Sequence, residues 1–131
     1  MDFANKQACD FYAAQLAFET DSADVFELLQ RQVPLLLIDG RSPAAFAAET
    51  IPSAINLPYR TIDADSTATL PRYVVLVTFC DGIGCNDSTK TALALARLGF
   101  EVRELLGGID WWKRDGYATT RTPGLRVACG C

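Results

Sequence analysis

The chain has 131 residues, half of them hydrophobic and 21% charged, and a formal net charge of −4. That length fits one compact domain with a proper core rather than two, and the acidic balance with scattered Lys and Arg gives no footprint for nucleic acid. The longest apolar runs, residues 33–38 and 74–79, fall far short of the roughly 20 residues of a membrane-crossing helix, so no membrane partner is expected. The start Met1-Asp2-Phe3-Ala4-Asn5-Lys6-Gln7 has neither a basic lead nor the long apolar stretch of a secretory signal, which gives a cytoplasmic expectation.

Residues 5–16 place Ala8, Phe11, Tyr12, Ala14 and Leu16 at mixed helical spacing, predicting an N-terminal helix that docks on the domain or on a partner. A short extended piece over 17–20 leads to Asp21-Ser22, an N-cap signal for a helix over 23–30 with a Val25, Leu28, Leu29 stripe. Pro34-Leu35-Leu36-Leu37-Ile38 is apolar without alternation, the pattern of a strand covered on both faces of a parallel sheet. Asp39 and Gly40 end it. Ser42-Pro43 opens a helix over 43–49, with proline in the first turn where its missing N–H costs nothing.

Ala54-Ile55-Asn56-Leu57 reads as a short strand closed by Pro58, and residues 60–69 as irregular. The β-branched and aromatic run Tyr73-Val74-Val75-Leu76-Val77-Thr78-Phe79 is expected at the sheet centre. Ser88 is read as the cap of a helix whose apolar face is Ala92, Leu93, Leu95, Ala96 and Leu98, ending at Gly99. A strand over 100–105, a Gly107-Gly108 turn and a helix over 109–114 follow, with one of Trp111 and Trp112 packed on the core. Strands alternating with helices predict a single α/β domain around a mainly parallel sheet of about five strands, flanked by helices on both faces. The expected division is a lead-in helix over 1–19, the domain over 20–118 and a tail over 119–131 ending Cys129-Gly130-Cys131.

Five cysteines leave at least one unpaired, and in a reducing compartment cysteines are more often reactive, metal-binding or buried than bridged. The absence of histidine excludes Cys-His and Ser-His couples and every His-ligated metal site. In open α/β sheets ligands gather outside the carboxyl ends of the strands, where the next helix offers unpaired N–H groups. The loop Cys80-Asp81-Gly82-Ile83-Gly84-Cys85-Asn86-Asp87, with Ser88, occupies that place and is the candidate substrate-binding loop.

Cys80 is the candidate nucleophile. Gly82 and Gly84 allow successive N–H groups to turn inward as a nest for a thiolate or an anionic sulfur species, and the helix dipole adds to it. Asp81 and Asp87 oppose ionisation. Cys85 is a candidate resolving thiol, with a disulfide or a passive role as alternatives. Arg41, Tyr59 and Arg60 are candidate rim residues, and an Arg41–Glu49 ion pair is the structural alternative for the first. A four-cysteine metal site would need Cys129 and Cys131 folded over the loop, so no metal is expected, and Cys9 is read as helix packing.

Three pieces of the chain together resemble the rhodanese-like family over about residues 20–117. They are Leu37-Ile38-Asp39-Gly40-Arg41 with Phe46 and Ile51-Pro52-Ser53-Ala54-Ile55-Asn56-Leu57-Pro58; Phe79-Cys80 with its glycine-bearing loop and the helix ending Leu98-Gly99-Phe100; and Leu106-Gly107-Gly108-Ile109-Asp110-Trp111. Each is weak alone, and their order and spacing make the set specific. The loop reads as a C-x-G-x-x-C-N variant, and Thr50 stands where family members commonly carry a structural histidine. The resemblance implies a single-domain sulfurtransferase without a cofactor. It assigns to Cys80 the uptake of the outer sulfur of thiosulfate or a related persulfide donor, and its delivery to a thiol or cyanide acceptor. Without a loop arginine a donor anion would rest on backbone N–H groups, so thiosulfate is expected to be a poor donor.

Two other functions fit parts of the pattern. A phosphatase or arsenate reductase would need a loop arginine against the developing charge, and none lies between Cys80 and Asp87. A non-catalytic rhodanese-like binding or thiol-redox sensing module would use Cys80 and Cys85 only to report oxidation. The expected partners are a small sulfur-containing anion or persulfide donor and a thiol acceptor, small or protein, with a homodimer as a further option.

Overall fold

The computed structural model describes residues 3–121. Helices and strands alternate as α1 Lys6–Phe18, β1 Glu19–Thr20, α2 Ser22–Gln30, β2 Leu35–Asp39, α3 Pro43–Ala48, β3 Ile55–Asn56, β4 Val75–Phe79, α4 Asp87–Arg97, β5 Val102–Leu105 and α5 Gly108–Arg114. One turn of 3-10 helix, Tyr59–Thr61, interrupts the segment expected to be irregular. Every strand pairing is parallel, in the order β1-β5-β4-β2-β3, which puts β4 at the centre.

The continuous apolar runs serve two cores because successive strand side chains point to opposite faces. Leu37, Val77 and Phe79 join Val25, Ile109 and Trp112 on one face; Ile38 and Leu76 join Leu95 and Phe100 on the other. Trp112 is the buried one of the tryptophan pair, its indole N–H donating to the Ala118 carbonyl at 2.9 Å, and Trp111 is exposed. No helix among the described residues is long and apolar enough to cross a membrane.

Three expectations change. Helix α4 begins at Asp87 with Asn86 at the cap, so Ser88 is not the capping residue but lies inside the first turn. This rotation brings Ser88, Thr91 and Leu95 against the sheet at i, i+3, i+7 spacing and leaves Leu93 exposed. Cys9 is exposed on α1 rather than packed. Helix α1 lies beside β1 and β5 with no residue buried, and it leaves Phe11, Tyr12, Leu16 and Phe18 in the open.

The carboxyl end of β2 is fixed by a buried ion pair. Asp39 is inaccessible, and its carboxylate accepts from the Arg41 backbone N–H at 3.0 Å, Arg41 Nη2 at 2.8 Å and the Thr50 hydroxyl at 2.8 Å. Arg41 Nη2 also donates to the Glu49 carbonyl, whereas the Glu49 carboxylate pairs with Lys113 and Thr119. Arg41 therefore forms the structural ion pair expected of it with a carboxylate such as Glu49, but its partner is the nearer, buried Asp39. Asn56 Nδ2 closes the corner by donating to the Asp39 and Arg41 carbonyls at 3.0 and 2.8 Å. Asp39→Ala leaves the guanidinium buried and uncompensated, and urea unfolding is expected to show a loss of about 3–5 kcal/mol.

Candidate active site

Strand β4 ends at Phe79, and Cys80 starts the loop with only 2% of its surface exposed. The backbone around it is gripped from α5: the Ile109 N–H donates to the Cys80 carbonyl and the Asp110 N–H to the Asp81 carbonyl, both at 2.9 Å. These are first-turn amides that have no acceptor within their own helix. Gly108 makes the contact feasible. It has φ +58°, and a Cβ there would stand 2.3 Å from the Cys80 carbonyl oxygen. Sequence alone marked Gly107-Gly108 as a turn; the structure makes it the support of the candidate nucleophile.

The Cys80 sulfur faces a cavity of about 220 Å3 whose walls include Ile83, Cys85, Ser88, Glu104, Leu106 and Gly108. A second, outer cavity of about 530 Å3 shares Gly82, Ile83 and Cys85 with it and is completed by Asp81, Asp110, Trp111 and Arg114. A hollow of about 500 Å3 between α1 and α4 is lined by Phe11, Phe18 and Leu93 among others and includes no thiol. Of these three cavities, the smallest is the one lined by Cys80.

The immediate partners of the sulfur differ from the expected nest of N–H groups. Gly84 does adopt φ +93°, but the Cys85 N–H is used in a turn to the Gly82 carbonyl at 3.1 Å. The Cys85 carbonyl then faces Cys80 and accepts from its S–H at 3.3 Å. On the other side Sγ lies 3.5 Å from Ser88 Oγ, which itself donates to Glu104 Oε2 at 2.9 Å. A serine hydroxyl has one proton, so while Glu104 takes it, Ser88 presents a lone pair to the thiol.

Burial pushes the Cys80 thiol pKa above its ordinary value, and Cys85 pushes it further; the Ser88 hydroxyl and N–H offset only part of this. Cys80 therefore rests as a neutral thiol at neutral pH. Glu104, missed by sequence reasoning, accepts from the Ser88 and Thr89 hydroxyls and so turns the Ser88 proton away from the sulfur. Its signal in the sequence was a carboxylate between Val102 and Leu105 in a strand of a covered sheet.

The remaining candidates fall into three places. Asp81 points outward, its carboxylate 3.4 Å from Arg41 Nη1, so Arg41 backs the loop without lining the cavity of Cys80. Tyr59 carries the Arg60 guanidinium and the Lys90 ammonium against its ring at 5.4 and 5.0 Å, and neither Tyr59 nor Arg60 lines that cavity. Asn86 and Asp87 open α4. Cys129 and Cys131 lie outside the described residues, and among those described no cluster of three or more His, Cys, Asp or Glu is placed to hold a metal.

The rhodanese-like domain model matches residues 22–115. The chain belongs to the rhodanese-like family. Among solved structures, a Bacillus halodurans protein is 34% identical with a TM-score of 0.84, over 91% of this chain and 88% of its own. A rhodanese-related protein from Thermoplasma volcanium is 23% identical with a TM-score of 0.69, over 80% of this chain and 99% of its own. A thiosulfate sulfurtransferase from Pseudomonas aeruginosa is 21% identical with a TM-score of 0.63, over 83% of this chain and 20% of its own, and so shows the fold alone. None of the curated proteins matches the chain.

Three outcomes follow for this rhodanese-like site. Among Cys9, Cys80 and Cys85, iodoacetamide should label exposed Cys9 first and Cys80 last at neutral pH, with Cys80 labelling rising only as pH passes the ordinary thiol range. Glu104→Gln removes the anion that holds the Ser88 proton, and Cys80 labelling at neutral pH should quicken by about tenfold for each pKa unit recovered. Gly108→Ala forces strain and a backbone clash together; a lower thermal midpoint with faster Cys80 labelling would show that the turn holds the nucleophile in place.

Proposed function

We propose that this domain is a sulfurtransferase that carries sulfane sulfur as a persulfide on Cys80. The observation that supports the reading best is the placement of a buried thiol at the end of the central strand, opening on a cavity with room for an added sulfur. When a donor enters, the Ser88 hydroxyl turns from Glu104 to the sulfur and stabilises the thiolate, while Thr89 keeps its bond to Glu104. Cys80 Sγ attacks the outer sulfur of the donor. The donor's S–S bond breaks, and its electron pair leaves as sulfite or a thiolate that carries away the proton given up by Cys80. The first-turn amides of α4 and its dipole stabilise the persulfide anion that remains.

An acceptor thiolate then attacks the outer sulfur, and the electron pair of the broken bond returns to Cys80. Cys85 borders both cavities, which favours it as a second thiol able to attack Cys80 Sγ, release hydrosulfide and leave a Cys80–Cys85 disulfide for an external thiol to reduce. Intact mass after incubation with a sulfane donor should show one added sulfur removable by cyanide. Cys80→Ser should take up none, and Cys85→Ser should load normally and retain its sulfur longer. Uptake by Cys80→Ser overturns the assignment. A reversible disulfide with no sulfur uptake by the unaltered protein favours the redox-sensing reading instead.

A further inference from the structure

The two neighbouring cavities, which share Gly82, Ile83 and Cys85, carry a distinctive charge pattern. Glu104 lines the inner one, and Asp81 and Asp110 the outer one, against a single lining cation, Arg114. Arg114 is itself held by Asp110 at 3.0 Å. Arg41, the next guanidinium, is buried and shared between Asp39 and Asp81. A dianion such as thiosulfate meets net repulsion from the carboxylates at this mouth, and among the described residues that line it no unpaired cation draws it in.

The same mouth is apolar at its edge. Ile83 is 84% exposed and Leu106 47%, and both border the inner cavity; Trp111, 42% exposed, borders the outer one. Single exposed apolar side chains are ordinary, but three bordering two cavities that share a wall form a contact patch. Because Cys80 is almost fully covered, the partner's sulfur has to enter on a slender stem while its surroundings rest on the rim. A cysteine side chain on a polypeptide has that shape.

We infer that the sulfur acceptor is a cysteine borne on a protein segment with basic and apolar residues beside it, docked on Ile83, Leu106 and Trp111 and drawn by Asp81 and Asp110. This rests on the persulfide reading of Cys80. The acceptor thiolate attacks the outer persulfide sulfur, the bond to Cys80 Sγ breaks, and the persulfide leaves on the partner cysteine with no net redox change. Basic neighbours keep that thiolate ionised and complement the acidic mouth, which glutamate neighbours would not.

The test charges the full-length protein with excess inorganic polysulfide, removes the reagent, and follows loss of the added sulfur by intact mass. The acceptors are two synthetic cysteine peptides alike in an adjacent leucine and differing only in flanking lysines or flanking glutamates. Each rate is divided by that peptide's rate toward a neutral disulfide in free solution, which removes differences in thiol reactivity. The lysine peptide should discharge Cys80 about tenfold faster at low salt, and the preference should shrink severalfold at high salt and in Asp81→Asn/Asp110→Asn. Trp111→Ser should slow the lysine peptide while leaving discharge by cyanide unchanged. Equal rates, a preference for the glutamate peptide, or a preference that survives loss of both aspartates would overturn the inference while the persulfide reading stands. Failure to load any sulfur on Cys80 overturns both.

Discussion

The buried pair of Asp39 and Arg41 is the constraint on which the end of the sheet is built. A carboxylate with no access to water must be paired and hydrogen-bonded, and here one guanidinium and a threonine hydroxyl do this together. The remaining arm of that guanidinium reaches Asp81, the second residue of the active-site loop. A planar fork can grip the Asp39 carboxylate with two nitrogens and still extend a third to Asp81, a fixed geometry that the compact ammonium of lysine does not offer. A buried ion pair of this kind adds little net stability compared with apolar packing, and its contribution is geometric. It also commits this guanidinium to carboxylates on both sides.

Around that corner the parallel sheet continues past its formal strands. The Gly40 N–H donates to the Phe79 carbonyl at 2.9 Å, and α5 takes over one residue later by donating to the Cys80 carbonyl. The Thr78 hydroxyl anchors the Ser88 carbonyl at 3.0 Å, tying α4 to the same strand. Cys80 is therefore positioned by β4, α5 and α4 together, while Cys85 stands on the turn between them. Of the two thiols, one is held by the rigid scaffold and the other by the loop, which matches a division between a carrier and a resolving group.

The architecture was legible because a parallel sheet covered on both faces writes its strands as unbroken apolar runs, and 34–38 and 73–79 are such runs. The loop was legible for the same reason, since it had to follow the central strand. What the sequence hid depended on rotation and distance. With Asn86 rather than Ser88 at the cap, α4 starts two residues earlier than a Ser88 cap would give, which places Ser88 in the first turn against the sulfur and leaves Leu93 exposed. Glu104 and the Gly108 contact are invisible in one dimension because their partners, Ser88 and Cys80, lie in other elements. The carbonyl of Cys85 facing the thiol depends on how Gly84 turns, and a glycine permits several turns without specifying one.

A buried thiol without histidine or loop arginine raises the question of when it ionises. If Cys80 lost its proton to solvent while Glu104 stayed ionised, two anions would share a small cavity with only one Ser88 proton to stabilise them. The cost of a second uncompensated charge is large in such surroundings. An incoming sulfur that is neutral, or that brings positive charge beside it, avoids that cost, whereas a dianion increases it. The raised thiol pKa and the acidic mouth thus point the same way: an anionic sulfur beside Glu104 needs the Ser88 proton or a cation brought by its partner. In the proposed transfer, ionisation of Cys80 follows the arrival of the donor.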